Sequence, residues 1–491
     1  MPPASPESRN KFLNYFEDLI QDMEECDDVD LRGSLRLPDS KVRVPTPVLP
    51  LQLLLGGEDG YRLQLDPEMV IDADGHFHSN GDYLLFDPLT YYSSISGFVR
   101  LAAGESVTLG RDDPLQRLLL QYPDEVDKHH LRLKLTGKGL ALKKKSSTHG
   151  ACVTPLVEIS TAERMIHWRA AKIQRLAKLI DAPIDNIPRG EAMALLERLI
   201  KVMESEAYRV PTGDGRPGGL LQLPAKPAPI FIGDLHACID NLLVVLTQNG
   251  FLEALEDGSA MLILVGDAVH PDEPGKEDEM DLSMQLMDFI FRLKLRFPQR
   301  VFYLRGNHDS FAEDISKGGV PQGLLWEKAL LDQRGSKYRD AMQRFYDLLP
   351  YVAVSPQFVC CHAGAPTMKA SREDLIHIHK YPKLQYQLTH LRLRKPGSPT
   401  GYNGADLKRF RKRLGVGPKT PVLVGHTPLS MDDTCWLNAG GIEHHHILFG
   451  AYQRSIGVIT RPGKGLLPLR YPVEPLVPVY NRLVRTGKLL A

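Results

Sequence analysis

Ala228-Pro229-Ile230-Phe231-Ile232-Gly233-Asp234-Leu235-His236 is a short apolar run that stops at a glycine and then presents a carboxylate and an imidazole. The same arrangement returns further down the chain. Residues 261–265 precede Gly266-Asp267, residues 301–304 precede Arg305-Gly306-Asn307-His308-Asp309, residues 358–361 precede His362-Ala363-Gly364, and residues 421–424 precede Gly425-His426-Thr427-Pro428. Runs this short and this apolar read as strands buried on both faces. Between them lie stretches with helical spacing, such as Leu242, Leu243, Leu246 and Phe251 in a helix expected over residues 240–253, and Leu282, Leu286, Phe289, Ile290 and Leu293 in another. Strands alternating with helices imply an α/β fold, in which ligand-bearing groups gather beyond the carboxyl ends of the strands.

A buried cluster of Asp, His and Asn is costly unless something positive pairs with it, and two divalent cations would do so. Asp267 is the expected bridge between them. Asp234 and His236 would complete one ion's shell, and Asn307, His362 and His426 the other. This mixture of oxygen and imidazole ligands suits manganese, with iron or zinc as alternatives. Two such ions can activate water and clamp a phosphate.

The ordered set resembles the calcineurin-like metallophosphoesterases and, within them, the phosphoprotein (Ser/Thr) phosphatase family. Leu348-Leu349-Pro350, His362-Ala363-Gly364-Ala365-Pro366 and Asn438-Ala439-Gly440-Gly441 extend the likeness over residues 228–462. The resemblance implies a mixed α/β fold with a central β-sandwich flanked by helices. It also implies that His308 protonates the departing alkoxide.

The departures concern transition-state groups. Where that family has Gly-Asp-x-Val-Asp-Arg-Gly, this chain has Gly266-Asp267-Ala268-Val269-His270-Pro271-Asp272. The carboxylate that orients the catalytic histidine and the arginine that grips phosphate are thus missing from their expected places. Asp272 or Asp309 is the candidate to orient His308, and His270 to donate to phosphate. Arg305, Arg392 or Arg394 is the candidate guanidinium. The run His444-His445-His446 lies just past a predicted turn and is expected at the surface.

The N-terminal half carries a second resemblance. Alternating strands are expected at Ser106–Leu109, 131–135 and 140–143, with turn signals between them, which reads as a β-sandwich. Leu109-Gly110-Arg111, Val126-Asp127-Lys128-His129-His130 and Ser146-Ser147-Thr148-His149-Gly150 are similar to the recognition loops of forkhead-associated domains. The likeness implies phosphopeptide contact through Arg111. Asp127 and His149 stand where that family has serine and asparagine, and an ionised aspartate only accepts hydrogen bonds and repels a phosphate.

The resulting organisation is a helix over residues 8–26 within an N-terminal helix and strand-rich segment (1–85), a forkhead-associated-like sandwich (86–156), a helical pair and linker (157–223), and a metallophosphoesterase domain (224–491). The helical pair opens on the capping box Ser160-Thr161-Ala162-Glu163 and continues over residues 189–207.

Composition is that of an ordinary globular chain: 491 residues, 43% hydrophobic, 24% charged, with a formal net charge of zero. Zero net charge argues against bulk nucleic-acid binding, and the basic stretch 407–414 reads as one face of an amphipathic helix. The cysteines Cys26, Cys152, Cys238, Cys360, Cys361 and Cys435 lack framework spacing, so reduced thiols in a cytoplasmic chain are expected. No apolar stretch is long enough to cross a membrane. The expected activity is hydrolysis of phosphomonoesters on phosphoproteins. The alternatives left open are a phosphohydrolase of small molecules or dinucleoside polyphosphates, and a metal-binding scaffold without catalysis.

Overall fold

The computed structural model describes residues 26–45, 50–57, 60–156 and 160–488, side chains of 160–162 excepted. They divide into two compact units. The first holds the described residues up to Met69, with Ser79–Tyr91 and Gly97–Ile166; the second holds Val70–His78, Tyr92–Ser96 and the described residues from His167 on. The helix expected over 8–26 lies outside the described residues, apart from Cys26, which opens a strand.

In the N-terminal region strands β1 (Cys26–Asp28), β2 (Leu35–Arg36), β3 (Lys41–Val44), β4 (Leu51–Leu55), β5 (Tyr61–Ile71) and β6 (Phe77–Phe86) are followed by β7 (Val99–Leu101), β8 (Ser106–Leu109), β9 (Leu131–Thr136), β10 (Gly139–Lys144) and β11 (Ala151–Pro155). They form two sheets, ordered β1-β3-β10-β9-β8 and β2-β11-β4-β5-β6-β7. Alternate residues point inward: Leu51, Leu53 and Leu55 on β4 pack with Leu131, Leu133 and Leu135 on β9 in one core. The expected boundary at 85/86 is therefore corrected. Strands from both sides of it share both sheets, because neither half alone could cover its apolar face.

The second unit is built on two further sheets. Strands β12 (Arg209–Pro211), β13 (Pro217–Gln222), β14 (Ala228–Ile232), β15 (Ala260–Leu264), β16 (Val301–Tyr303) and β17 (Val352–Ser355) precede β18 (Phe358–Cys361), β19 (Val422–Val424), β20 (Cys435–Trp436), β21 (His445–Leu448), β22 (Ser455–Thr460) and β23 (Leu467–Pro472). One sheet runs β16-β15-β14-β22-β23 and the other β12-β13-β17-β18-β19-β21-β20. Phe231, Ile263, Phe302 and Ile459 from the first meet Leu221, Ala353, Cys360 and Leu423 from the second in a shared core. The opposite face of the longer sheet packs Val359 and Val422 against Leu384, Leu388, Leu407 and Phe410 of the helices Pro382–His390 and Gly404–Leu414. This is a mixed α/β fold with a central sandwich covered by helices.

Three expectations change here. The helix expected over 240–253 is two helices, Ile239–Thr247 and Phe251–Asp257, parted where Asn249 takes a left-handed φ of 49° and its carboxamide binds the backbone of Ser96. The expected linker before residue 224 contains the β12–β13 hairpin; it belongs to the longer sheet because Leu220 and Leu221 are buried on opposite faces of it. Third, His445 and His446 are buried on β21, a strand paired on both sides. The helical pair is present as Ser160–Ile180 and Arg189–Glu204, although the capping side chains at 160–162 lie outside the described residues. All six cysteines are free thiols. Among the described residues no helix is long and apolar enough to cross a membrane.

Candidate metal centre

Strands β14, β15 and β16 run parallel in one sheet, and β18 and β19 run parallel in the other. Their carboxyl ends release Asp234 and His236, Asp267, Asn307, His362 and His426, all of them buried. The loops turn so sharply that His236, Ala237, Asp267, His270 and His426 all adopt left-handed φ values, between 42° and 69°. Such backbone is costly for residues with side chains and persists where the surroundings dictate it. Two glycines let the loops interlock. A Cβ on Gly306 would stand 2.0 Å from Asp267 Oδ1, and one on Gly425 would stand 2.1 Å from Asp234 Oδ1. Backbone amides then tie the loops together: Leu235 N and His236 N donate to Asp267 O, His426 N to Asp234 Oδ2, and His308 N to Asp267 Oδ1.

Each imidazole is locked in one tautomer by a carbonyl. His236 Nδ1 lies 2.9 Å from His270 O, His362 Nδ1 2.9 Å from Val265 O, and His426 Nε2 3.1 Å from His390 O. A carbonyl only accepts, so these nitrogens carry protons, and the opposite nitrogens are the ones that each ring, when neutral, offers as ligands. One end of the Asn307 carboxamide lies 3.0 Å from Asp267 Oδ2, 3.0 Å from His362 Nε2 and 2.9 Å from His426 Nδ1. Lone pairs gathered so closely fit a divalent cation held among them. Of the groups of ligand atoms within 4.8 Å of one another among the described residues, two lie here: His236 with Asp267 and His308, and Asp267 with His362 and His426. Asp267 belongs to both, which suits a bridging carboxylate.

The electrostatics agree with a site made for positive charge. Burial works to raise Asp267, yet the charges of His362 and His308 hold its carboxyl well below the usual range. Burial raises Asp234 to about 6, with His362 opposing. Against its own burial, Asp267 and Asp234 lift His362 to about 9, so these two carboxylates draw a cation toward themselves.

The remaining candidates are distributed as follows. Asp309 is fully buried but does not face His308. Its carboxylate accepts from Tyr303 OH at 2.6 Å and from the amides of Gly306 at 2.8 Å and Asp267 at 3.3 Å, stapling the second and third loops together. Asp272 pairs with the ammonium of Lys317 instead of His308, so its expected orienting role is corrected. His270 is corrected as well: fully buried, it has its Nδ1 2.8 Å from His308 Nδ1 and presents nothing to a phosphate. Arg305 lays its guanidinium over the Tyr346 ring at 5.1 Å, and exposed Arg394 donates to Gly401 O. Arg392 is the guanidinium whose charge is felt here: after burial and His362, it is what holds His426 well below its ordinary pKa. Tyr303 and His390 were not visible as site residues in the sequence, because they act through a hydroxyl and a main-chain carbonyl, which carry no motif.

In the N-terminal unit the three loops do meet, around a carboxylate. Asp127 accepts from Ser146 Oγ, from Thr148 Oγ1 at 2.8 Å and from His149 Nδ1 at 3.2 Å, and the Ser146 bond first of all keeps it ionised. The guanidinium of Arg111 is engaged by Asp124 at 2.8 Å. Aspartates of the same unit thus pair with the guanidinium of Arg111 and with the hydroxyls of Ser146 and Thr148.

Residues 230–450 match the family described as Calcineurin-like phosphoesterase. The serine/threonine-protein phosphatase 2B catalytic subunit A2 of Saccharomyces cerevisiae is 23% identical over 159 residues, which is 32% of this chain and 23% of that protein's length. A protein serine/threonine phosphatase structure from Saccharomyces cerevisiae superposes with a TM-score of 0.44 at 14% identity, covering 58% of this chain and 90% of that one. A cold-active protein-tyrosine phosphatase from a psychrophilic Shewanella species does so with a TM-score of 0.36 at 14% identity, covering 52% and 82%.

Proposed function

With a calcineurin-like phosphoesterase domain at residues 230–450 as the premise, we propose that the chain is a dimetal phosphomonoesterase acting on phosphoserine and phosphothreonine in proteins. Asp234, His236 and Asp267 would hold one divalent cation; Asp267, Asn307, His362 and His426 would hold the other. When bound, the cations supply the Lewis acidity and positive charge that phosphoryl transfer to water requires. His308 offers a proton toward the leaving oxygen. Arg392 offers its planar fork to the phosphoryl oxygens, standing in for the arginine missing from the second motif. The observation that carries this reading is the convergence of bare imidazole nitrogens and a shared carboxylate from two different sheets.

A polypeptide substrate is favoured by the rim. Leu429 and Met431, in the loop just after His426, are exposed, as is Tyr386, whose ring stacks on His390 at 4.3 Å. Apolar side chains beside the ligands suit residues flanking a phosphorylated hydroxyl better than a polyanionic dinucleotide. The test is elemental analysis of the full chain together with turnover of phosphothreonine peptide, diadenosine tetraphosphate and p-nitrophenyl phosphate. Two divalent ions per chain and peptide turnover are expected, and Asp267→Asn should lower kcat roughly 100-fold or more with loss of metal. Turnover of the dinucleotide alone would move the assignment to small phosphates, and full metal occupancy with no turnover at all would refute it.

A further inference from the structure

His270 occupies the position at which the resembling family carries its orienting aspartate, and its Nδ1 lies 2.8 Å from Nδ1 of His308. Two ring nitrogens at that distance share one proton, so one donates and the other accepts. Which one donates follows from the far side of the His270 ring. Its Nε2 is buried and has no hydrogen-bond partner among the described residues, and the neighbouring aromatic ring, Trp326, lies at 6.4 Å between centroids. An orphaned buried N–H is rarer than an orphaned acceptor. The proton therefore sits on His270 Nδ1, His270 Nε2 is a bare lone pair, and His308 accepts at Nδ1 while carrying its own proton on Nε2.

The His270 ring is held in this attitude by its backbone. The amide donates to Ser283 Oγ at 3.0 Å, the carbonyl accepts from His236 Nδ1 at 2.9 Å, and φ is 69°. We propose that His270 is a positioning residue acting through His308: it fixes the ring and its tautomer so that Nε2–H, and no lone pair, faces the reacting phosphate. His308 is then a hydrogen-bond donor to the leaving oxygen and not a further ligand of the His236–Asp267 group. This rests on the phosphomonoesterase reading and narrows it to alkyl phosphates, whose poorly stabilised leaving oxygen needs such a donor most.

The test compares His270→Ala, His270→Asn and His270→Asp in the full chain. An asparagine amide can occupy the place of the Nδ1–H donor, whereas aspartate can only accept. His270→Ala should lower kcat on a phosphothreonine peptide roughly 10- to 100-fold, with a smaller loss on p-nitrophenyl phosphate and with KM and metal content unchanged. His270→Asn should restore most of that loss, and His270→Asp, which can only accept, should draw the His308 proton onto Nδ1. Nitrogen-15 NMR of the histidine rings in the wild-type chain reads the tautomer without reference to activity, and should find the His308 proton on Nε2. A proton on His308 Nδ1, unchanged turnover in His270→Ala, or equal losses in His270→Ala and His270→Asn would overturn the proposal. A wild-type chain inert toward every phosphoester would defeat the phosphomonoesterase reading alone, since the NMR result still decides the pairing of the rings.

Discussion

Asp309, a sequence candidate to orient His308, is instead the residue on which two ligand loops hang. Buried and ringed by donors, its carboxyl is raised to about 6 by burial first and by the charge of Asp267 second. Tyr303 OH answers that charge at 2.6 Å and also receives the Ala268 amide at 3.0 Å. Tyr303→Phe removes one hydroxyl and leaves both a buried carboxylate oxygen and a buried amide unsatisfied. A loss of about 1–3 kcal/mol in urea unfolding is expected, together with weaker metal retention in a chelator competition. A variant as stable as the wild type would show that other groups satisfy Asp309. The metal-directed residues were legible one by one because each closes an apolar run. The partners that set their tautomers were not, because a main-chain carbonyl such as His390 O looks the same at every position.

At the scale of elements, the sheet ends are what the apolar runs specified, and the histidine run is where expectation failed. His445 and His446 read as surface residues after a turn, but β21 pairs with β19 and β20 and buries both. Burial first, countered in part by the Val422 carbonyl, lowers His445 to about 4. Burial, then the neighbouring His445, lowers His446 to about 3. In the unfolded chain both titrate near 6.5. Below that pH the unfolded state binds more protons, so the stability that these rings allow is fully present above pH 6.5 and is lost as pH falls toward 4. His446, whose Nε2 is buried without a partner among the described residues, is the better probe. Between pH 7 and pH 5 the wild type should lose about 2 kcal/mol more than His446→Gln in urea unfolding. Equal losses would mean that His446 does not titrate in this range.

For the C-terminal unit as a whole, the candidate ligands come from two sheets that share an apolar core. Cations bound among them would act as a clasp closing the open ends of the sandwich. Saturating metal should therefore raise the unfolding free energy of the wild type by about 4 kcal/mol per site at a thousandfold excess over Kd. Chelation should reverse that gain, and Asp267→Asn should abolish it. Equal denaturation midpoints with and without metal would refute the clasp. The linear chain by itself determined which segments become buried strands and which polar residues stand at their ends, since an apolar run and its terminator are local properties. The tertiary structure alone decided that residues on either side of position 85 share two sheets, that Asp309 staples loops while Asp272 pairs with Lys317, and that His270 meets His308. Those outcomes depend on which distant groups are brought within about 3 Å of one another, and no periodicity along the sequence encodes that distance.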